Sequence, residues 1–211
     1  MAATGTPFFV LGVDKPVANG CVGSAPVDID GALSGVLERL RERKVRSLVQ
    51  LGIRQMDLMD SEALRGACGS YEEQVGWPRH VKRVTQEDIV RAAYDFFRER
   101  YRTKADLPDA FLFMDDYLAR GALLALLAAG IRTGRDVLVI TVANKGTTPL
   151  HPDPIDLILC DPARNADIVA DALIAYLNTG VAPESLALEN TFIAGNRQGR
   201  QRPSSAILSR V

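Results

Sequence analysis

Cysteine, histidine and tryptophan are scarce in this chain. Cys21, Cys68 and Cys160 are odd in number and show no CxxC or other metal-ligand spacing. Neither a disulfide framework nor a zinc site is expected to organise the fold, and a reduced compartment suits buried thiols. The two histidines, His80 and His151, lie near prolines in separate stretches and read as loop residues rather than catalytic bases. No long apolar run occurs. The opening MAATGTPFFVLGVDKP holds only a short one with no basic residues before it, so it is neither a signal peptide nor a membrane span. The expected setting is therefore cytoplasmic. An excess of one charge is also missing: 25 Lys and Arg against 26 Asp and Glu leave a net charge of -1. That balance provides no basic field for nucleic acid along the body of the chain. P-loop, GxSxG and HExxH patterns are absent, and no GxGxxG follows a strand. No enzyme chemistry, cofactor or metal is expected.

What is present is hydrophobic content of 47%, ample for a core, and one stretch around which the rest can be arranged. Ala110 to Met114 is a short apolar run of strand length. Asp115 and Asp116 follow, and then a helical stripe of Leu118, Ala122, Leu123, Leu126 and Leu127. Gly130 stops that helix, because glycine accepts the left-handed conformation that ends helices. Val137 to Val142 is a second buried strand. Strand, helix and strand in about forty residues make a right-handed βαβ unit on a parallel sheet. Ligands of such sheets bind beyond the carboxyl ends of the strands, where Asp115, Asp116, Ala143 and Asn144 fall.

Taken from the start, residues 8–13 form a strand and 22–30 lead into a helix over 31–43. Asp30 is its expected N-cap, and Ala32, Leu33, Val36, Leu37 and Leu40 its apolar stripe. Arg39, Arg41, Arg43 and Lys44 load the end of that helix with positive charge, which suits its dipole. Residues 46–53 form the next strand. Ser61 to Gly76 reads as one helix in spite of Gly66 and Gly69, whose cost implies close packing at both. Thr85-Gln-Glu-Asp is a capping-box start for a helix to about Tyr101. A proline-rich connection after Gly146 leads to a strand over 155–159, a helix over 165–177 closed by Gly180, and a last strand over 186–193. The remainder, 194–211, is arginine-rich without acids and has the composition of a flexible tail.

The stretch Phe113-Met-Asp-Asp-Tyr-Leu-Ala-Arg-Gly-Ala-Leu, followed by Ala129-Gly-Ile-Arg-Thr-Gly-Arg-Asp-Val-Leu-Val-Ile, resembles the effector-binding domain of LacI/GalR-type transcription regulators. Pro7-Phe-Phe-Val-Leu-Gly-Val-Asp resembles the strand that closes the first lobe of those proteins. The resemblance implies an α/β, parallel-sheet, periplasmic-binding-protein-like (type I) fold with one lobe complete and the other partial. It places a remnant of the first lobe and hinge at 1–44 and the second lobe at 45–146. A return crossover, helix and terminal edge strand take 147–193, and the tail 194–211. It further implies a small polar ligand such as a sugar, a homodimer, and DNA contact only through a headpiece that this chain does not contain.

The resemblance also nominates ligand-binding residues: Asp14 after the first strand, Arg65 on the helix from Ser61, Asp115, and Asn144. Ala143 stands where those regulators carry an aspartate, which weakens the sugar assignment. The residues themselves leave Asp115 and Asp116 open to several readings. Asp116 is expected to cap the following helix. A metal would want more oxygen ligands than two carboxylates provide, and neighbours on an extended chain point to opposite sides, against a shared proton. Two other functions stay in view: a solute-binding protein of a transport system, and an α/β enzyme using Asp115 or Asp116 as base.

Overall fold

The computed structural model describes residues 8–11, 21–25, 27–28, 30–53, 58–75, 85–183, 186 and 188–195. In chain order the elements are β1 (Phe8–Leu11), β2 (Cys21–Ala25), β3 (Val27–Asp28), α1 (Leu33–Glu42), β4 (Ser47–Leu51), α2 (Ser61–Ala67) and β5 (Ser70–Gln74). They continue with α3 (Gln86–Arg100), β6 (Ala110–Phe113), α4 (Asp116–Ala128), β7 (Leu138–Asn144), β8 (Asp156–Cys160), α5 (Pro162–Thr179) and β9 (Leu188–Ile193). Seven strands form one sheet in the order β3-β9-β8-β7-β6-β4-β5, and β1 pairs with β2 in a separate two-stranded sheet. All pairings are parallel except β8 with β9. The expected neighbours are found: β4 lies beside β6, and β1 belongs to the smaller group.

Period-two alternation sends each central strand into two cores. Phe111 and Phe113 of β6, Val49 and Leu51 of β4, and Val139 of β7 pack under α3 and α4. Leu112, Leu48, Leu138 and Ile140 face the other way, against Val36 and Leu40 of α1 and Leu64 of α2. The β6 strand is fully buried on both faces, as a central parallel strand between helical layers must be. Phe97 of α3 anchors the first core, with its ring centroid 5.0 Å from that of Phe111 and 5.7 Å from that of Phe113. Here α3 begins at the expected capping box: Thr85 Oγ1 accepts from Asp88 N, and Asp88 accepts in return from Thr85 N. Gly130 has φ 70° just beyond α4, and Gly180 has the same value at the end of α5.

Four expectations are corrected. The helix from Ser61 ends at Ala67, because Cys68 is already extended at φ -124°, ψ 152°, and Ser70–Gln74 runs as a strand along β4. Nothing lies within 4 Å of a Cβ placed on Gly66, so close packing does not explain that glycine. Asp30 does not cap α1. It opens a short 3-10 turn, and the N-cap is Ala32, which makes no side-chain capping bond. The last strand is not an edge, since β9 is flanked by β8 and by the two residues of β3.

The 18-residue α5 is longer than expected and lies against β1 and β2. Its outer side leaves Ile174 and Leu177 exposed. Among the described residues no helix is long and apolar enough to cross a membrane.

Candidate ligand-binding site

The carboxyl ends of β6 and β7 hold the side chains of interest, and their arrangement reverses the expected roles of the two aspartates. Asp115, not Asp116, is the N-cap of α4. Its backbone is extended at φ -151°, ψ 132°, and its Oδ1 accepts from the amides of Tyr117 at 2.9 Å and Leu118 at 3.0 Å. The strand must turn into the helix at one residue, and the carboxylate at that residue is the one that reaches back over the first turn. Asp116, one position later, is helical and accepts from Arg120 Nη2 at 2.9 Å across one turn.

Arg120 was not singled out by sequence reasoning. Its Nη2 also donates to the Thr147 carbonyl at 2.7 Å, and its guanidinium stands 5.0 Å from the centroid of the Tyr117 ring. The Asp-x-x-x-Arg spacing of a same-face helical pair was the signal available for it. Thr147 in turn donates its amide to the Asn144 carbonyl at 3.0 Å, so Asn144, Thr147 and Arg120 form one linked group. Asn144 ends β7 with its side chain exposed, while Ala143 is buried. Lys145, the next residue, donates from Nζ to Asp161 Oδ2 at 2.7 Å, and that contact holds the Asp161 carboxyl below the usual range.

Arg65 stands elsewhere. Its partners are two residues of β5: Glu73, at 3.9 Å, and the ring of Tyr71, 5.3 Å from centroid to guanidinium. Tyr71 donates to the fully buried Gln50 and lies 3.3 Å from Ser61 Oγ, and burial pushes its phenol up to about 12. This polar trio inside the second core was also missed, although a glutamine within Leu48-Val-Gln-Leu is a visible anomaly in a buried strand. The structure thus brings Asp115 and Asn144 to one end of adjacent strands and ties Arg65 to the sheet's β5 edge. Asp14 lies outside the described residues. No cluster of three metal-ligating side chains occurs among the described residues.

What this arrangement can do is bind. A fixed guanidinium and an exposed carboxamide at strand ends can offer hydrogen bonds to a polar molecule. Asp115 has one oxygen committed to the cap, and Asp116 is paired with Arg120.

Residues 37–196 match the model of the periplasmic binding protein-like domain. No curated protein sequence matches the chain. Among solved structures, the chain is similar to the LacI family transcriptional regulator from Arthrobacter sp. FB24 in complex with lactose. Identity there is 21% and the TM-score 0.63, over 90% of this chain and 71% of that one. The trehalose repressor from Escherichia coli shows 20% identity and a TM-score of 0.59, over 88% and 68%. The Cra transcriptional dual regulator from Pseudomonas putida, in complex with fructose 1-phosphate, shows 18% and 0.61, over 90% and 69%. At these identities the likeness is one of fold, and it bears out the expected parallel-sheet, periplasmic-binding-protein-like α/β architecture.

Proposed function

Because the chain belongs to the periplasmic binding protein-like domain family, we propose that it is the effector-sensing region of a LacI-type transcription regulator. It binds a small polar molecule of the sugar class at the carboxyl ends of β6 and β7, acts in the cytoplasm and is not an enzyme. The family match over residues 37–196 carries this reading. The neighbours support it by their own ligands, lactose and fructose 1-phosphate. Asp115 and Asn144 serve the ligand from the sheet side, with Asp14 as a further member, while Arg65, held by Glu73 and Tyr71 at the β5 edge, contributes only if the ligand reaches that edge. Val36 and Leu40 of α1 are buried in the core shared with β4, β6 and β7, which supports counting α1 with the unit that holds the site.

The chain acts as a homodimer, and the outer side of α4 supports that reading: Leu124 and Leu127 stand 54% and 42% exposed on a helix whose other face is fully packed. Apolar residues exposed together on one helix are suited to a partner surface. DNA is reached through a separate headpiece.

Calorimetry with lactose, trehalose, ribose and fructose 1-phosphate tests the reading. A sensor binds at least one of them, or a close relative, and its melting temperature rises with ligand concentration. If none of the panel binds or shifts the melt, the sensing role is wrong.

A further inference from the structure

Arg120 has more donors than its protein partners use. Both of its hydrogen bonds leave from Nη2, one to Asp116 Oδ2 and one to the Thr147 carbonyl. Its Nε is buried, and no protein group accepts from it. A guanidinium carries five N–H donors in a rigid fork, and a buried donor left unpaired is costly. The fork is also held in place on three sides, by Asp116, by the loop after β7 and by the Tyr117 ring. The side chain nevertheless remains 36% exposed.

Asp116 offsets the charge of Arg120, but that pair uses only Nη2 and leaves other donors of the fork without a protein acceptor. Asp116 sits at the first position of α4, so its negative charge faces helix amides as well as Arg120. One oxygen of Asp115 is engaged by two amides of the same turn. Lys145, the other cation near these strand ends, is engaged by Asp161. On the β7 side the residues are a buried alanine, Ala143, and a neutral one, Asn144. A preset guanidinium with donors beyond those its ion pair uses matches an oxyanion better than a hydroxyl, since charge-assisted bonds to a planar fork are the strong ones.

We propose that the effector of this chain carries an oxyanion group, a carboxylate or a phosphate, and that Arg120 binds it. This rests on the sensing role proposed above and narrows its ligand class from sugars in general to acidic or phosphorylated sugars.

The test is titration of the 211-residue chain with glucose, gluconate, glucose 6-phosphate and inorganic phosphate, repeated on Arg120→Gln and Arg120→Lys. The expected result is binding of gluconate or glucose 6-phosphate at least about tenfold tighter than glucose. Which of the two binds decides between carboxylate and phosphate, and weak competition by inorganic phosphate marks a phosphate site. Arg120→Gln removes the preference, and Arg120→Lys restores part of it by charge without the fork. Should both variants fail to fold, the salt dependence of the unmodified chain serves instead: added sodium chloride weakens acid binding and leaves glucose unaffected. Glucose bound as tightly as either acid, with no effect of salt or of Arg120→Gln, overturns the oxyanion assignment and leaves the sensing role standing. Absence of binding by every compound in both panels overturns the two together.

Discussion

Arg39 of α1 and Asp156 of β8, 117 positions apart, grip each other through two hydrogen bonds, Nε to Oδ2 at 2.7 Å and Nη2 to Oδ1 at 3.3 Å. Asp156 is nearly fully buried, and its Oδ1 also accepts from Gly195 N at 2.6 Å, so one carboxylate joins α1, β8 and the end of β9. The contact with Asp156 raises the Arg39 pKa further above its ordinary value. Removing one member of such a pair strands the other in the interior. Asp156→Ala is expected to cost about 3 kcal/mol or more, as breaking buried pairs generally does. Urea denaturation measures it, and a loss below about 1 kcal/mol would show that Arg39 finds water instead.

Gly121 and Gly66 are expected to respond oppositely to alanine. A Cβ on Gly121 would fall 2.1 Å from the Val90 carbonyl and 2.8 Å from the Ala93 Cβ, where α4 packs against α3. That obstacle is backbone and cannot step aside, so Gly121→Ala should cost more than the roughly 1–3 kcal/mol typical of overpacking. Around Gly66 there is open space, and alanine there should stabilise by up to about 1 kcal/mol through helix propensity. Paired thermal melts give the comparison. Equal shifts in the same direction would mean that α3 and α4 are not held as close as the structure has them.

These glycines also show what was legible in the chain and what was not. The βαβ unit over 107–146 could be read because its strands are mostly apolar, its helix has a clear period and Gly130 marks its end. β5 could not. Tyr71-Glu-Glu-Gln has no alternation of apolar and polar residues, and it becomes a strand by pairing with β4, at the edge of the sheet. Such pairing is a nonlocal effect with no local trace. The same limit governs the site. Adjacent aspartates at 115 and 116 are interchangeable on paper, and backbone angles decide which one caps. Arg65 was placed by its position on a helix, but its partners Glu73 and Tyr71 lie on the strand that had been read as part of that helix.

The reversed roles of the aspartates make a direct comparison. Asp115→Ala removes the side chain that caps α4 and should lower stability by about 1 kcal/mol, with Asp115→Asn retaining most of it. Asp116→Ala loses a one-turn ion pair and should cost a few tenths of a kcal/mol. Urea midpoints of the three variants decide the matter. The outcome that sinks the assignment is a larger loss at position 116 than at 115.

Acid should loosen the turn between α4 and β7. Arg132 binds Asp153 through its guanidinium, and that hydrogen bond holds the nearly buried Asp153 carboxyl below its ordinary value. Asp136 is lowered as well, by the Arg135 side chain first, then by the Arg132 amide and by Lys104. A carboxyl with a depressed folded-state pKa contributes stability at pH above its unfolded value, near 4, and loses it as the pH falls through the folded one. The melting temperature is therefore expected to hold from neutral pH to about 5 and to decline below about 4. Asp153→Asn cannot take up that proton. The stability gap between wild type and Asp153→Asn should be widest near neutrality and shrink steadily on acidification. Melts of both proteins at a series of pH values measure that gap. A gap that stays constant or widens toward low pH would mean that Asp153 contributes by shape and hydrogen bonding alone, and that its charge is not what joins residues 151–155 to the turn at 131–136.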